Sequence, residues 1–124
     1  MRRIRKSDTA PEMMVRRLAH GLGLRFRLHR RDLPGTPDIV FPRQRTAVLV
    51  HGCFWHQHEG CRLARQPKSR LDYWLPKLAR NKARDRIAQE DLQALGWQVL
   101  VIWECETKTP EIVRSKLEEL LQPS

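Results

Sequence analysis

The feature that most constrains the fold of this chain is the segment HGCFWHQHEGC, residues 51–61, directly after the apolar run TAVLV. This segment contains three of the five histidines, two of the three cysteines and one of the four tryptophans. The apolar run is typical of a buried strand, whereas the segment after it is too polar for a core. Histidines and cysteines concentrated at the end of a buried strand raise the question of a metal-binding loop.

The spacing of these side chains fits zinc. Cys53, His58 and Cys61 lie close enough in sequence for one loop to curl around a single ion, and tetrahedral zinc then needs a fourth ligand. Cys105, the remaining cysteine, follows the apolar run WQVLVIW. If that run pairs beside TAVLV, the carboxyl ends of both strands are neighbours. We therefore predict one structural zinc ion bound by Cys53, His58, Cys61 and Cys105; buried thiols beside surface histidines are the alternative.

Composition bounds the partner and the compartment. The net charge is +10, from 24 lysine and arginine residues against 14 acidic ones. This excess indicates an anionic partner, with nucleic acid as the first candidate, although a merely basic protein has the same excess charge.

The 124 residues predict a single domain, residues 1–124. No apolar run approaches the roughly 20 residues of a membrane span, and the basic N-terminus has no apolar segment behind it. We therefore expect a cytosolic protein without a disulfide framework.

The first half of the chain predicts one helix and a half-buried strand. TAPEMMVRRLAHGLG is typical of a helix that begins at a capping box of Thr9 and Glu12. LRFRLHR then alternates apolar and basic residues, which predicts a strand with one exposed basic face. The residues on that face are Arg25, Arg27 and His29.

Residues 38–121 predict the sheet and its covering helices. DIVF and TAVLV are close enough for a hairpin, and residues 71–95 have a helical pattern that Gly96 ends. WQVLVIW is nearly continuous in apolar residues and predicts a central strand covered on both faces. Residues 110–121 predict a terminal helix. The order indicates an α/β domain with a small mixed central sheet flanked by helices.

Asp38 is the first candidate for chemistry. It follows Pro37 where a short strand leaves a Gly/Pro turn, and this order resembles the PD-(D/E)xK nuclease core. The acid and lysine that usually follow on the next strand are absent from AVLVHG. A second metal contact there could only be a backbone carbonyl, and Val50 is placed to offer one. Pro-Asp in a turn is otherwise commonplace.

His56 is the second candidate. It lies between Cys53 and His58, so a zinc loop would fix its backbone for general acid–base work, while a surface imidazole is the alternative. Asp85, in NKARDRIAQ on the long helix, is most simply a surface ion pair. Glu12 is most simply the acid of the capping box.

Four blocks of the sequence resemble the very short patch repair (Vsr) endonucleases. LPGTPDIVF, VLVHGCFWHQHEGC, YWLPKLARNKARD and LGWQVLVIWEC occur in the order of that family's signature blocks, from about Ile4 to Cys105. The resemblance implies a bacterial, nucleoid-associated enzyme that nicks double-stranded DNA 5′ of the thymine in T:G mismatches left by deamination of 5-methylcytosine. It also implies a variant of the restriction-endonuclease core with a structural zinc.

The resemblance also implies a role for each site residue. Asp38 and the carbonyl of Val50 would hold catalytic Mg²⁺, and Glu12 would contact water bound to it. His56 would be the acid–base group, oriented by Asp85. His51 would lie near the phosphate. The aromatic side chains inserted into DNA beside the mismatch would be those of Phe54, Trp55 and Trp74. The four zinc ligands would be Cys53, His58, Cys61 and Cys105.

Two departures from the family pattern bear on these expectations. Residues 1–9 form only a short basic N-terminal arm, which predicts weaker clamping of DNA or clamping shared with a partner, and the loop HQHEGC is one residue longer. We expect a monomer that binds mismatched DNA, with a mismatch-repair protein as a further partner. The alternatives are a zinc-stabilised DNA-binding module without catalysis and a nuclease of the same fold that acts on another lesion.

Overall fold

The computed structural model describes residues 9–65 and 67–121 and contains a four-stranded mixed sheet. The strand order is β1-β2-β3-β4; β1/β2 and β2/β3 are antiparallel, and β3/β4 is parallel. The strands are β1 Arg27–Leu28, β2 Ile39–Phe41, β3 Thr46–His51 and β4 Gln98–Trp103. The predicted hairpin of β2 and β3, the predicted pairing of β3 with β4 and the α/β class are therefore confirmed.

Three helices flank this sheet, together with short 3₁₀ turns. The helices are α1 Ala10–Gly21, α2 Leu71–Ala94 and α3 Pro110–Glu118, and the 3₁₀ turns are Arg62–Ala64, Glu104–Lys108 and Glu119–Leu121. Helix α2 connects the parallel strands β3 and β4, as a crossover must. Within residues 9–65 and 67–121, no helix combines the length and the apolar character that crossing a membrane requires.

Alternating side chains of the strands build a core on each face of the sheet. The core with α1 and α3 is the larger one, and its buried members are Val15, Ala19, Leu24, Ile39, Phe41, Val48, Ile102, Val113 and Leu117. The core with α2 contains Leu33, Val40, Ala47 and Leu92. Strand β3 is therefore covered on both sides, which gives the residues that follow it a rigid support.

Thr9 is the N-cap of helix α1, which is the Thr9 half of the predicted capping box. The Oγ1 atom of Thr9 accepts a hydrogen bond from the backbone N–H of Glu12 at 3.3 Å, and a proline lies in the first turn. This contact satisfies one of the backbone donors that every helix N-terminus leaves without an intrahelical partner. Residues 1–8 of the predicted arm, which spans residues 1–9, lie outside the described residues.

Strand β1 is much shorter than LRFRLHR predicted. Only Arg27 and Leu28 are extended and paired, because His29 adopts a left-handed backbone with φ +48°. Arg25 and Arg27 are exposed as expected. The prediction that His29 shares their exposed face is wrong, since the left-handed residue breaks the alternation and the ring contacts the buried Glu12.

Strand β4 lies at the edge of the sheet, so the prediction that WQVLVIW is the central strand is wrong. Ile102 is buried, but most of its neighbours in the strand are only half-buried. The ammonium group of Lys116 in α3 donates to the carbonyl of Val101 at 3.2 Å and so covers one acceptor of this strand. An apolar run reports burial of the two faces, which helices supply here, and not the position of the strand in the order.

Gly35 brings the loop before β2 against helix α2. Its φ is +73°, and a Cβ atom built on it would lie 2.7 Å from the Cβ atom of Ala88. Since real Cβ atoms do not approach so closely, glycine is required for both conformation and space. This contact sets the distance between the loop that carries Asp38 and the helix that carries Asp85.

Gly35→Ala should lower the free energy of unfolding by more than about 2 kcal/mol, because left-handed strain and overpacking add. The matched control is Gly23→Ala, where φ is +78° but no atom lies within 4 Å of the added Cβ, so only the strain is introduced. Urea unfolding of the two variants measures both losses. Equal losses would contradict the close approach of the loop to α2.

Candidate active site and metal centre

The ends of β3 and β4 bring the cysteines together. In the parallel register His51 pairs with Trp103, so the residues after both strands emerge at the same edge of the sheet. Cys53 follows β3 and Cys105 follows β4, and the backbone N–H of Cys105 donates to the Sγ atom of Cys53 at 3.4 Å. The predicted meeting of these two cysteines is confirmed.

Cys53, His58, Cys61 and Cys105, here called the cysteine–histidine cluster, have ligand atoms that all lie within 4.8 Å of one another. The Nδ1 atom of His58 is 3.7 Å from the Sγ atom of Cys53 and 3.5 Å from that of Cys105. Tetrahedral zinc with ordinary Zn–S and Zn–N bonds requires edges of roughly 3.5–3.8 Å. The donor set and its spacing therefore fit a metal ion with tetrahedral coordination.

Neighbouring groups hold this cluster in place. The indole of Trp103 stacks on the imidazole of His58, with ring centroids 4.0 Å apart and an interplanar angle of 7°. A carboxylate oxygen of Glu104 accepts from the backbone N–H of Cys53 at 3.2 Å. Burial raises the pKa of the Cys53 thiol to about 12, because a buried thiolate needs a nearby positive charge. A divalent cation at the centre of the cluster would supply that charge.

His56 projects from the same loop toward helix α2. Its Nδ1 atom is in hydrogen-bonding contact with the Oδ2 atom of Asp85, and both side chains are about three-quarters buried. The backbone N–H of His56 donates to the carbonyl of Gly52 at 3.1 Å, which fixes the loop at this point. Asp85 therefore pairs with a loop histidine and is largely buried, unlike the acid of an exposed surface ion pair.

The imidazole of His51 stacks against the imidazole of His56. The two imidazoles are parallel, with centroids 3.8 Å apart and an interplanar angle of 2°. Burial, and next the neighbouring His56, lower the pKa of His51 to about 4, so this ring is neutral near neutral pH. Within the described part of the chain its buried Nδ1 atom has no hydrogen-bond partner.

Asp38 lies at the start of β2, beside the end of β3. Its Oδ2 atom accepts the backbone N–H of Val50 at 2.8 Å. Because the N–H and C=O of a strand residue point to the same side, the carbonyl of Val50 also faces Asp38. Burial, and next the charge of Glu12, raise the pKa of Asp38 to about 6. A buried carboxylate beside a second one is a site that a cation stabilises.

Glu12 has a role beyond the helix cap. Its side chain is only 2% exposed, although it belongs to the first turn of α1. The carboxylate pairs with the guanidinium of Arg16 and contacts the Nε2 atom of His29, with both oxygens 3.2 Å from that nitrogen. Glu12, His29 and Asp38 form a second group whose ligand atoms lie within 4.8 Å of one another.

The sequence patterns missed His29 as a site residue. The signal lay in the pairing of β1 with β2, since Leu28 pairs with Ile39 and the next pair along is His29 and Asp38. The sequence does not reveal that register, because the alternation in LRFRLHR predicts one longer strand and β1 has only two residues.

One cleft of about 870 Å³ lies between the sheet and helix α2, and its lining includes His29, Asp38, His51, His56 and Asp85 but neither Glu12 nor the cysteine–histidine cluster. Asp38 and Val50 lie on the sheet side, and His56 and Asp85 lie on the loop and helix side. Arg84 of α2 also lines the cleft and contributes positive charge. The arrangement can hold a cation and a phosphate between a carboxylate and an oriented imidazole.

An aromatic cluster lies on the loop and the first turns of α2. Phe54, Trp55 and Trp74 have ring centroids 5.3–5.8 Å apart and are each half-buried. Tyr73 beside them is 46% exposed, and the ammonium group of Lys77 lies 5.5 Å from the Trp55 ring. The three aromatic residues singled out in the sequence therefore form one surface.

Comparison with known proteins identifies the family. The family model described as DNA mismatch endonuclease Vsr matches residues 1–62. A relative from Xanthomonas oryzae pv. oryzae, named type II nicking enzyme V.XorIIP, is 53% identical over 124 residues, which cover 100% of this chain and 90% of the relative. This chain belongs to the Vsr family. The family resemblance seen in its sequence is thereby confirmed.

Two further relatives of this Vsr family member also match over most of their length. The DNA mismatch endonuclease Vsr of Escherichia coli is 44% identical over 96% of this chain and 79% of the relative. The type II nicking enzyme V.NmeAIP of Neisseria meningitidis is 38% identical over 98% of this chain and 86% of the relative. The prediction of an endonuclease, an enzyme that hydrolyses DNA phosphodiester bonds, is confirmed at the level of the family.

Asp38→Asn should stabilise the fold at pH 7.5 in a buffer to which no divalent cation is added. The folded pKa is about 6 and the unfolded one roughly 3.9, so the unfolded chain binds fewer protons between these values. Stability therefore falls as pH rises from about 4 to about 6, by roughly 1–3 kcal/mol in all. An amide does not ionise and avoids this loss.

The measurement is urea unfolding of wild type and variant at pH 5.0 and pH 7.5. The variant should exceed the wild type in free energy of unfolding by more at pH 7.5 than at pH 5.0. Changes in the protonation of the cysteine–histidine cluster cancel, because the two proteins are compared at the same pH. Asp32→Asn is the control, since that carboxylate is exposed and Arg30 lowers its pKa by hydrogen bonding. A destabilised Asp38→Asn protein at pH 7.5 would show that the carboxylate is well solvated.

Proposed function

We propose that this protein nicks one strand of double-stranded DNA 5′ of the thymine in a T:G mismatch, in a reaction that depends on Mg²⁺. The observation that carries the proposal is the cleft in which Asp38 and Val50 face the oriented pair of His56 and Asp85. We further propose that the fold is a variant of the restriction-endonuclease core within one domain, and that the protein acts as a cytoplasmic monomer.

The two metal sites have separate roles in this proposal. Zinc in the cysteine–histidine cluster holds the loop that carries His56, and a closed site of four protein ligands is suited to structure rather than to chemistry. Asp38 and the carbonyl of Val50 hold Mg²⁺, supported by the hydrogen bond between Asp38 and the Val50 N–H. Mg²⁺ supplies polarisation of the phosphate when it is bound.

Proton transfer is assigned to His56. Its Nδ1 atom is engaged by Asp85, so the Nε2 atom is the one that exchanges a proton in the cleft. Water oxygen attacks the phosphorus, its proton passes to an acceptor, and the bond from phosphorus to the leaving oxygen breaks as that oxygen gains a proton. His56 serves one of these two transfers. Neutral His51 stacks on His56 and so fixes the plane of the His56 ring. His51 also lines the cleft, where it would lie near the phosphate. Glu12, whose carboxylate lies within 4.8 Å of Asp38, would contact water bound to the cation.

Mismatch preference is assigned to the aromatic cluster. A T:G pair is easier to unstack than a matched pair, so insertion of Phe54, Trp55 and Trp74 costs less at the mismatch. The half-buried rings and the cation of Lys77 beside Trp55 support a surface on which bases stack. Basic residues along the chain bind phosphates without reading sequence.

The experiment is a nicking assay on one set of end-labelled duplexes. T:G, U:G and matched C:G pairs are placed in the same flanking sequence and incubated with and without Mg²⁺. The proposal predicts a single nick 5′ of the thymine, in the T:G duplex and only with the cation. A cut that is faster at U:G would favour another lesion, and binding without any cut would favour the non-catalytic DNA-binding module.

Neighbouring histidines should respond differently to substitution. His56→Ala should lower the single-turnover nicking rate about 10²–10⁴-fold, because a positioned acid or base is lost, with zinc content and binding retained. His58→Ala should lose zinc, fold and binding together. Asp38→Asn should abolish nicking and keep binding. The control is His20→Ala, an exposed histidine near the end of α1. Nicking by Asp38→Asn at the wild-type rate would contradict the site.

A further inference from the structure

His29 lies in the cleft without a role in the proposal above. Its side chain lines the same cleft as Asp38, and its Nε2 atom is 3.2 Å from each carboxylate oxygen of Glu12. The candidate ligand atoms of His29, Glu12 and Asp38 lie within 4.8 Å of one another. A nitrogen donor is therefore present beside both carboxylates of the cation site.

The backbone fixes His29 in this position. Its N–H donates to the carbonyl of Asp38 at 3.0 Å, which continues the pairing of β1 with β2 by one residue. Its left-handed φ of +48° then turns the side chain away from the exposed face of Arg25 and Arg27. An uncommon backbone conformation for a residue other than glycine thus aims the imidazole at Glu12.

We propose that His29 is a direct ligand of the divalent cation, together with Asp38, and that the site therefore prefers Mn²⁺ to Mg²⁺. This inference rests on the cation site of the proposed function. An imidazole nitrogen favours first-row transition metals, whereas Mg²⁺ prefers oxygen ligands. The site still accepts Mg²⁺ through Asp38 and Val50, but more weakly.

Glu12 holds the imidazole of His29 beside Asp38. The Nε2 atom of His29 lies 3.2 Å from both carboxylate oxygens of Glu12, which is an ordinary hydrogen-bonding distance. Glu12, which also pairs with Arg16, is close enough to share the coordination or to orient His29 from behind.

The competing interpretation makes His29 a positioning residue that only hydrogen-bonds Glu12. The substitution His29→Gln separates the two, because the glutamine amide still donates a hydrogen bond but replaces the aromatic nitrogen ligand. The matched control is His20→Gln, since His20 is exposed and lines a different cleft.

The experiment measures cation binding by the zinc-loaded full chain at pH 7.5 without DNA. Calorimetry gives the affinities for Mn²⁺ and Mg²⁺, and pulsed electron paramagnetic resonance of bound Mn²⁺ detects coupling to a coordinated ¹⁴N nucleus. Wild type and His20→Gln should show the ¹⁴N coupling and bind Mn²⁺ at least tenfold more tightly than Mg²⁺. His29→Gln should lose the coupling and bind Mn²⁺ at least tenfold more weakly, with Mg²⁺ affinity within threefold of wild type.

The proposal is overturned if His29→Gln keeps the coupling, if wild type shows none, or if wild type does not prefer Mn²⁺. Circular dichroism and thermal unfolding establish that the variant is folded. These readouts are independent of the nicking assay. A protein that binds Mn²⁺ through His29 but cuts no mismatch would retain this inference and lose the proposed function, and a protein that cuts T:G with unchanged Mn²⁺ binding in His29→Gln would do the reverse.

Discussion

The convergence of Cys53, His58, Cys61 and Cys105 is the constraint on which the rest of the site depends. The loop of residues 51–61 is mostly polar and cannot be held by apolar burial, so in the function we propose a bound metal ion would take the place of a core. The parallel register of β3 and β4 delivers Cys53 and Cys105 to one edge of the sheet. Once both ends of the loop are fixed, His56 between them reaches the carboxylate of Asp85 on α2. In the proposed function, a structural metal would thereby position the acid–base group His56 without contacting it.

The cleft gathers ionisable groups whose burial lowers the stability of the fold. Burial raises the pKa of Asp38 to about 6 and lowers that of His51 to about 4, so both groups resist ionisation where they lie. Perturbed groups clustered in one cleft are characteristic of functional sites, because a core without such groups is more stable. The close contact of Gly35 with Ala88 holds this cleft at a fixed width against α2. The burial of Asp38 therefore costs stability, and the cation of the proposed function would offset that cost.

The sequence predicted most of the site because its signals are local in the chain. The spacing of Cys53, His58 and Cys61, with Cys105 after a second strand, identifies the cluster from the sequence alone. It did not identify the edge position of β4, because helices on both faces make an edge strand as apolar as a central one. Nor did it identify His29, whose contact with Glu12 depends on a left-handed residue and a two-residue strand. Such features follow from tertiary pairing, which hydrophobic periodicity does not report.

We propose above all that the cysteine–histidine cluster is a closed zinc site that fixes the loop carrying His56. The most direct test is X-ray absorption at the zinc edge on the purified protein. The account predicts one zinc ion per chain with three sulfur neighbours at about 2.3 Å and one nitrogen neighbour at about 2.0 Å. Zinc surrounded only by nitrogen and oxygen, or protein that is folded and free of zinc, would contradict it.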